Sequence, residues 1–181
     1  MSQLRVYAET APDRPLVETR ELGRIAAELG RAGIRFERWK ADRELPPDAD
    51  HATIIEAYRD EIDRLIAERG YRTFDVVSMH PSHPEKEAFR RKFLEEHTHS
   101  EDEVRFFVRG RGLFVIHEGG RVYSMLCEAD DLISVPANTR HWFDMGPNPD
   151  FTAIRLFNNP EGWVARFTGD PIAARFPLLE N

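Results

Sequence analysis

Apolar and polar positions along this chain follow two different patterns, one before about residue 95 and one after it. Over residues 19–32 the apolar side chains Leu22, Ile25, Ala26 and Leu29 keep the i, i+3, i+4, i+7 spacing of a helix, and Gly33 follows where a left-handed cap can end it. Over residues 51–68 Ile54, Ile55, Tyr58, Ile62, Leu65 and Ile66 form one stripe opposite a charged face, which predicts a single helix closed by Gly70. Its N-cap is Asp48 or Asp50, at the end of the structure-breaking stretch 44–50. A third, shorter helix is expected over 85–94, entered through the double-proline turn Pro81-Ser-His-Pro84. Strand-like runs at 4–8, 34–40 and 74–79 separate these elements.

Beyond residue 95, short apolar and aromatic runs recur at 104–108, 112–117, 122–127, 132–135 and 151–157, with turn signals between them. Gly119-Gly120 suits a two-residue hairpin turn between the second and third runs. Short antiparallel strands at this spacing imply a sandwich or barrel, on which the last residues, rich in rings from Phe157 through Trp163 and Phe167 to Phe176, are expected to wrap back. No repeat or low-complexity linker divides the chain. One domain over 1–181 is therefore expected, with helices and outer strands in 1–94 packed on a barrel in 95–181.

Composition narrows the function. A hydrophobic share of 41%, with 12 Phe and 3 Trp, fills a barrel and excludes a disordered chain. A formal net charge of −7, without a basic block, offers nothing to a phosphate backbone, so nucleic acid is excluded as a partner. Cys127 stands alone, which rules out an internal disulfide and suits a reducing compartment. Neither a secretory signal pattern nor an apolar run of about 18 residues is present, so a cytosolic protein with no membrane association is expected. No exposed heptad or long apolar edge stands out, and the expected state is a monomer.

The candidate chemistry lies in Glu95-Glu-His-Thr-His-Ser-Glu-Asp-Glu103, which contains His97-x-His99-x-x-x-Glu103, and in His141 after Pro136-Ala-Asn-Thr-Arg. Alternate residues of a strand leave the same face, so a straight strand over 97–103 would point His97, His99 and Glu103 into one cavity. Three imidazoles and one carboxylate suit a borderline divalent metal such as Fe, Ni, Co or Mn, whereas the absence of cysteine ligands argues against a closed structural zinc site. Four protein ligands leave an octahedral ion two open positions, enough for a bidentate substrate.

These residues resemble the two-part signature of the cupins: Glu95-Glu-His97-Thr-His99-x-x-x-Glu103 with Gly110, then Asp131-Leu-Ile-Ser-Val-Pro136 leading to His141. Arg91, Asp130 and Asn138 stand where many cupins carry glycine, and Met145 where asparagine is frequent; none of these departures removes a ligand. Within the cupins the chain is similar over nearly its whole length to the bacterial acireductone dioxygenases of methionine salvage. The similarity rests on Glu95-Glu-His-Thr-His, on Pro136-Ala-Asn-Thr-Arg-His-Trp-Phe-Asp-Met-Gly146, on Phe151-Thr-Ala-Ile-Arg-Leu-Phe157 and on Gly162-Trp163-Val-Ala. It implies a jelly-roll barrel with about three helices in the N-terminal half. It implies one Fe(II) or Ni(II) per chain, held by His97, His99, Glu103 and His141, and an acireductone with a methylthio tail that dioxygen splits. The iron form is implied to release formate and 4-methylthio-2-oxobutanoate, and the nickel form formate, carbon monoxide and 3-methylthiopropionate.

Charge then selects two more residues. A divalent metal beside Glu103 leaves one positive charge against the two negative charges of an enediolate, so a nearby cation helps. Arg105 shares the even offset of Glu103, and Arg155 interrupts an apolar run; both match the family's proposed substrate contacts. Arg105 could instead bridge Glu101 or Asp102, and Arg155 could face solvent. Phe93, Phe143, Phe157 and Trp163 are candidates for an apolar pocket around the tail. His51 and His117 are expected to be solvated, His80 and His83 flank a turn outside the site, and Cys127 is expected to be a small buried side chain. A sugar-phosphate isomerase or a non-catalytic binding cupin is the alternative; the first needs more basic residues than this site offers, and no DNA-binding helix pair supports a regulator.

Overall fold

A computed structural model describes residues 1–46, 49–159 and 161–180. The chain opens with β1 (Gln3–Ala8) and β2 (Pro15–Thr19), followed by α1 (Leu22–Arg31) and β3 (Arg35–Arg38). Strand β2 takes Thr19, the first residue expected in the helix, and α1 starts where the Glu21 carboxylate accepts from the Gly23 and Arg24 amides at 2.7 and 2.6 Å. Gly33 has the left-handed φ of 75° that ends it.

The single helix expected over 51–68 is two, α2 (His51–Ala57) and α3 (Arg59–Arg69), hinged at Tyr58 (φ −112°, ψ 26°). The stripe itself survives the hinge, because Ile54, Tyr58, Ile62 and Leu65 are all buried in one cluster, with the Tyr58 ring edge-on to Phe106 at 5.5 Å. Asp50 caps α2 through the Thr53 amide, while Asp48 lies outside the described residues. Strand β4 (Thr73–Met79) and α4 (Lys86–Leu94) follow as expected, so the helix count among described residues is four rather than three. None of these helices is long and apolar enough to cross a membrane.

The remaining strands are β5 (His97–Thr98), β6 (Glu103–Glu118), β7 (Arg121–Glu128), β8 (Asp131–Val135), β9 (Arg140–Asp144), β10 (Phe151–Phe157) and β11 (Arg166–Phe167). The two runs read as separate strands at 104–108 and 112–117 are one long strand, β6. Its first half pairs with β8 and β10, and its second half with β7 and β9, all antiparallel. Gly110, at φ 69°, sits where the strand changes partners; a side chain there would strike the Asp150 carbonyl. One strand thus belongs to both faces of the barrel, and its apolar side chains Phe107, Phe114 and Ile116 join Met125, Ile133 and Phe143 in the core between them.

Asp130 and Asn138, two of the positions where glycine is frequent, adopt positive φ of 80° and 62°. Asp130 offsets the strain by accepting from the Ala41 amide at 2.9 Å and from Arg38 at 2.9 Å. Arg91 lies inside α4 and meets no such demand. The C-terminal stretch wraps back as expected: a 3₁₀ turn, Pro171–Arg175, buries Ile172 and Ala173, and Phe176 sets its ring edge-on to Tyr7 at 5.6 Å.

Candidate metal centre

His97 and His141 face each other directly across β5 and β9, so their rings leave the same side of the sheet with centroids 4.5 Å apart. His99 lies just past β5, with its ring 5.2 Å from each of the other two. The straight strand expected over 97–103 is absent. Strand β5 ends at Thr98, and the chain bends before Glu103 opens β6. The bend is tied to the turn before β9, since the His99 carbonyl accepts from the Asn138 amide at 2.8 Å and Asp102 from the Ala137 amide at 2.8 Å. Convergence therefore comes from strand pairing and a fixed bend rather than from an even offset.

Each histidine is oriented by a backbone carbonyl on its Nδ1: Glu95 for His97 at 2.7 Å, Val164 for His99 at 3.1 Å and Thr139 for His141 at 2.8 Å. A carbonyl only accepts, so Nδ1 carries the proton and the lone pair is left on Nε2. The three rings offer ligand atoms that all lie within 4.8 Å of one another, and all three residues are buried. Glu103 Oε2 lies 3.3 Å from His99 Nε2 and 3.6 Å from His141 Nε2. Neither Oε2 nor His141 Nε2 has a hydrogen-bond partner, so buried acceptors face one another across the centre. A cation would satisfy these acceptors, and the donor set of nitrogen and carboxylate oxygen fits a divalent transition metal.

The protonation states agree with that fit. Burial, and next the neighbouring His141, push His97 down to about 3, so it stays neutral at ordinary pH. Burial works against a charged Glu103, yet the Arg105 guanidinium beside it holds the carboxyl well below the usual carboxylate range.

Arg105 is 6% exposed and donates from Nε to Glu103 Oε1 at 2.7 Å, with its guanidinium 4.7 Å above the Phe143 ring and 5.1 Å above Phe114. It does not bridge Glu101 or Asp102: Glu101 accepts from Asn159, and Asp102 holds the Ala137 amide. Arg155 sits opposite Arg105 in the β10–β6 register and is fixed from the other side by Asp75 on β4, Nε to Oδ1 at 2.9 Å and Nη2 to Oδ2 at 2.6 Å. It is paired and mostly covered, with 17% of its side chain exposed, rather than facing solvent. Phe157 lies 6.0 Å from the His99 ring, Phe143 supports Arg105, Phe93 packs 6.4 Å from Phe143, and Trp163 is 55% exposed.

His117, expected at the surface, is 2% exposed: it shares with Leu113 and Val115 the face of β6 opposite the core residues Phe114 and Ile116, and that face is buried too. The even offsets to Leu113 and Val115 carried that signal in the sequence. His51 and His80 are exposed and His83 lies in the turn outside the centre, while Cys127 is buried, its thiol pushed well up by burial. Asp75 and the Val164 carbonyl were not legible in advance, since register across strands and a loop's path decide them.

Comparison with known proteins gives the family. The sequence model of the ARD/ARD' family matches residues 3–165. An acireductone dioxygenase of Pseudomonas paraeruginosa is 59% identical over 181 residues, covering 100% of both chains, and one of Serratia proteamaculans is 57% identical over 180 residues, covering 99% of this chain and 100% of the relative. An acireductone dioxygenase structure from Bacillus anthracis, with a cadmium ion in its active center, superposes with a TM-score of 0.80 at 33% identity, over 92% of this chain and 98% of that one. The mainly β architecture is accordingly a cupin fold. Identity of this order, carried from end to end, assigns the sequence: the chain belongs to the ARD/ARD' family.

Proposed function

We propose that the chain is an acireductone dioxygenase that cleaves 1,2-dihydroxy-3-keto-5-methylthiopentene with dioxygen in methionine salvage, using Fe(II) or Ni(II). The observation that carries this reading is the inward convergence of three Nε2 lone pairs and one unpartnered carboxylate oxygen. His97, His99, His141 and Glu103 would hold the ion. When bound, it would supply a charge sink and a template for an ionised enediolate.

The chain's own residues complete the environment. Glu103, Asp75, Arg105 and Arg155 cancel in charge, so with a divalent ion the site presents about +2, which matches a doubly ionised enediolate. Arg105 keeps Glu103 ionised and leaves its remaining guanidinium N–H groups for the substrate's oxygens. Arg155, with Nε and Nη2 held by Asp75, can offer Nη1 to the same anion. Phe143 and Phe157 exclude water beside the ligands and suit the apolar tail. The site has no separate acid or base in its assigned set, consistent with a substrate that arrives ionised. We propose further that one cupin domain works as a cytosolic monomer, a reading supported by the acidic net charge of −7 and the single cysteine.

The test is aerobic consumption of acireductone by metal-free protein reloaded separately with Fe(II) and Ni(II), with the headspace assayed for carbon monoxide. Substrate loss in both, with gas from the nickel sample alone, is the expected result. No turnover with either ion, after loading is confirmed, overturns the dioxygenase reading in favour of a binding cupin or an isomerase.

A further inference from the structure

A second buried polar cluster stands behind the metal centre. Glu96, immediately before His97, is 2% exposed; its Oε2 accepts from His117 Nδ1 at 2.7 Å and its Oε1 from the Thr168 hydroxyl at 2.8 Å. The Glu96 carbonyl also accepts from the Thr168 amide at 3.0 Å. His117 meets a second acid with its other nitrogen, Nε2 to Glu9 Oε2 at 2.9 Å. His117 thus meets a carboxylate at each ring nitrogen and ties Glu96 to the hairpin end of β6.

The pieces held by this cluster are the least self-supporting in the fold. Strands β5 and β11 have two residues each and pair with one another only through Thr98 with Arg166 and His97 with Phe167. So short a ladder needs an outside anchor. Thr168 closes that ladder at its end, and the segment leading into β11 carries the Val164 carbonyl that orients His99. One carboxylate therefore restrains the backbone next to His97 and, through Thr168, the segment that sets the tautomer of His99.

We propose that Glu96, His117 and Thr168 are positioning residues for the metal centre: they fix β5 and β11 so that His97 and His99 present Nε2 inward before any ion arrives. The inference rests on the reading of these histidines as ligands. Full-length Thr168→Val and Glu96→Gln variants test it through two readouts other than turnover. The first is the His97 and His99 tautomers in metal-free protein, by long-range ¹⁵N–¹H NMR. The second is Ni(II) affinity by chelator competition. Thr168 is at the surface, so its variant keeps a folded chain even if Glu96→Gln does not. Ser2→Ala, which removes a buried hydrogen bond to Asp131 at 2.6 Å away from the ligand histidines, is the control for a general loss of stability.

The expected result for Thr168→Val is Ni(II) binding weakened about 10- to 100-fold, with His99 in mixed tautomers. Ser2→Ala should lower the melting temperature and move neither readout. A Thr168→Val protein with wild-type affinity and tautomers overturns the inference, whatever its melting temperature. Failure of the wild-type protein to bind Ni(II) would strike the ligand assignment instead.

Discussion

Glu103 divides its two oxygens: Oε1 takes the Arg105 hydrogen bond, and Oε2 is left facing His99 and His141. That division and the neutral His97 make the folded centre costly at low pH. The folded-state value of His97, about 3, lies below its ordinary 6.5, so the unfolded chain takes up the proton first. His97 therefore contributes stability that is fully present above pH 6.5 and is lost as the pH falls from there towards 3. The depressed Glu103 carboxyl acts with the same sign over a lower window, below the ordinary carboxylate range. Metal-free wild-type protein is expected to lose about 2 kcal/mol more than a His97→Gln variant between pH 7 and pH 5, as read from urea midpoints. Parallel pH profiles for the two proteins would show that His97 is not held neutral. At this scale the sequence was informative about the ligands, because His-x-His-x-x-x-Glu and a later histidine name a donor set. It was silent about Asp75, which meets Arg155 only through the β4–β10 register, and it misplaced His117, whose place near a Gly-Gly turn hid a covered position.

Elements were legible where a stripe or a run lay within one environment, and illegible where an element passes between two. Strand β6 shows this best. Arg109-Gly110-Arg111 reads as a turn between two strands, yet Gly110 is the point where one strand leaves β8 and β10 and takes up β7 and β9. The hinge at Tyr58 escaped notice because both halves keep the same buried stripe. Strand β9, which carries His141, is five residues long and follows a turn at Asn138, so little periodicity announced it. Since the β6 bend sets the angle between the two faces of the barrel, Gly110→Ala tests it directly. The added methyl meets the Asp150 carbonyl and the Phe151 backbone, and alanine is strained at φ 69°. Destabilisation of at least about 1–3 kcal/mol is expected in chemical denaturation, from the backbone strain alone. Wild-type stability would mean that the strand can change partners without a left-handed residue.

For the molecule as a whole, the aromatic C-terminal stretch was legible as a segment that returns to the barrel, but its fastening was not. Apolar contact accounts for part of it, through Ile172, Ala173 and Phe176 against Tyr7 and Trp142. The other part is one carboxylate. Asp144, fully buried at the end of β9, accepts from Arg90 of α4 at 2.7 and 3.0 Å, from the Gly146 amide at 2.8 Å and from the Leu179 amide at 2.8 Å. Helix, barrel and C-terminal segment thus share a single anion on the strand that carries His141. Removing it in Asp144→Ala leaves the largely covered Arg90 charge and two amides without their acceptor, which is expected to cost about 3–5 kcal/mol. Asp144→Asn keeps the shape and one oxygen, so it should recover part of that loss. Limited proteolysis separates the two duties of the carboxylate. If Asp144 holds the C-terminal segment, cleavage around residues 170–180 precedes global unfolding in the alanine variant; if cleavage there only tracks unfolding, the segment is held by its apolar contacts, and Asp144 serves α4 and β9 alone.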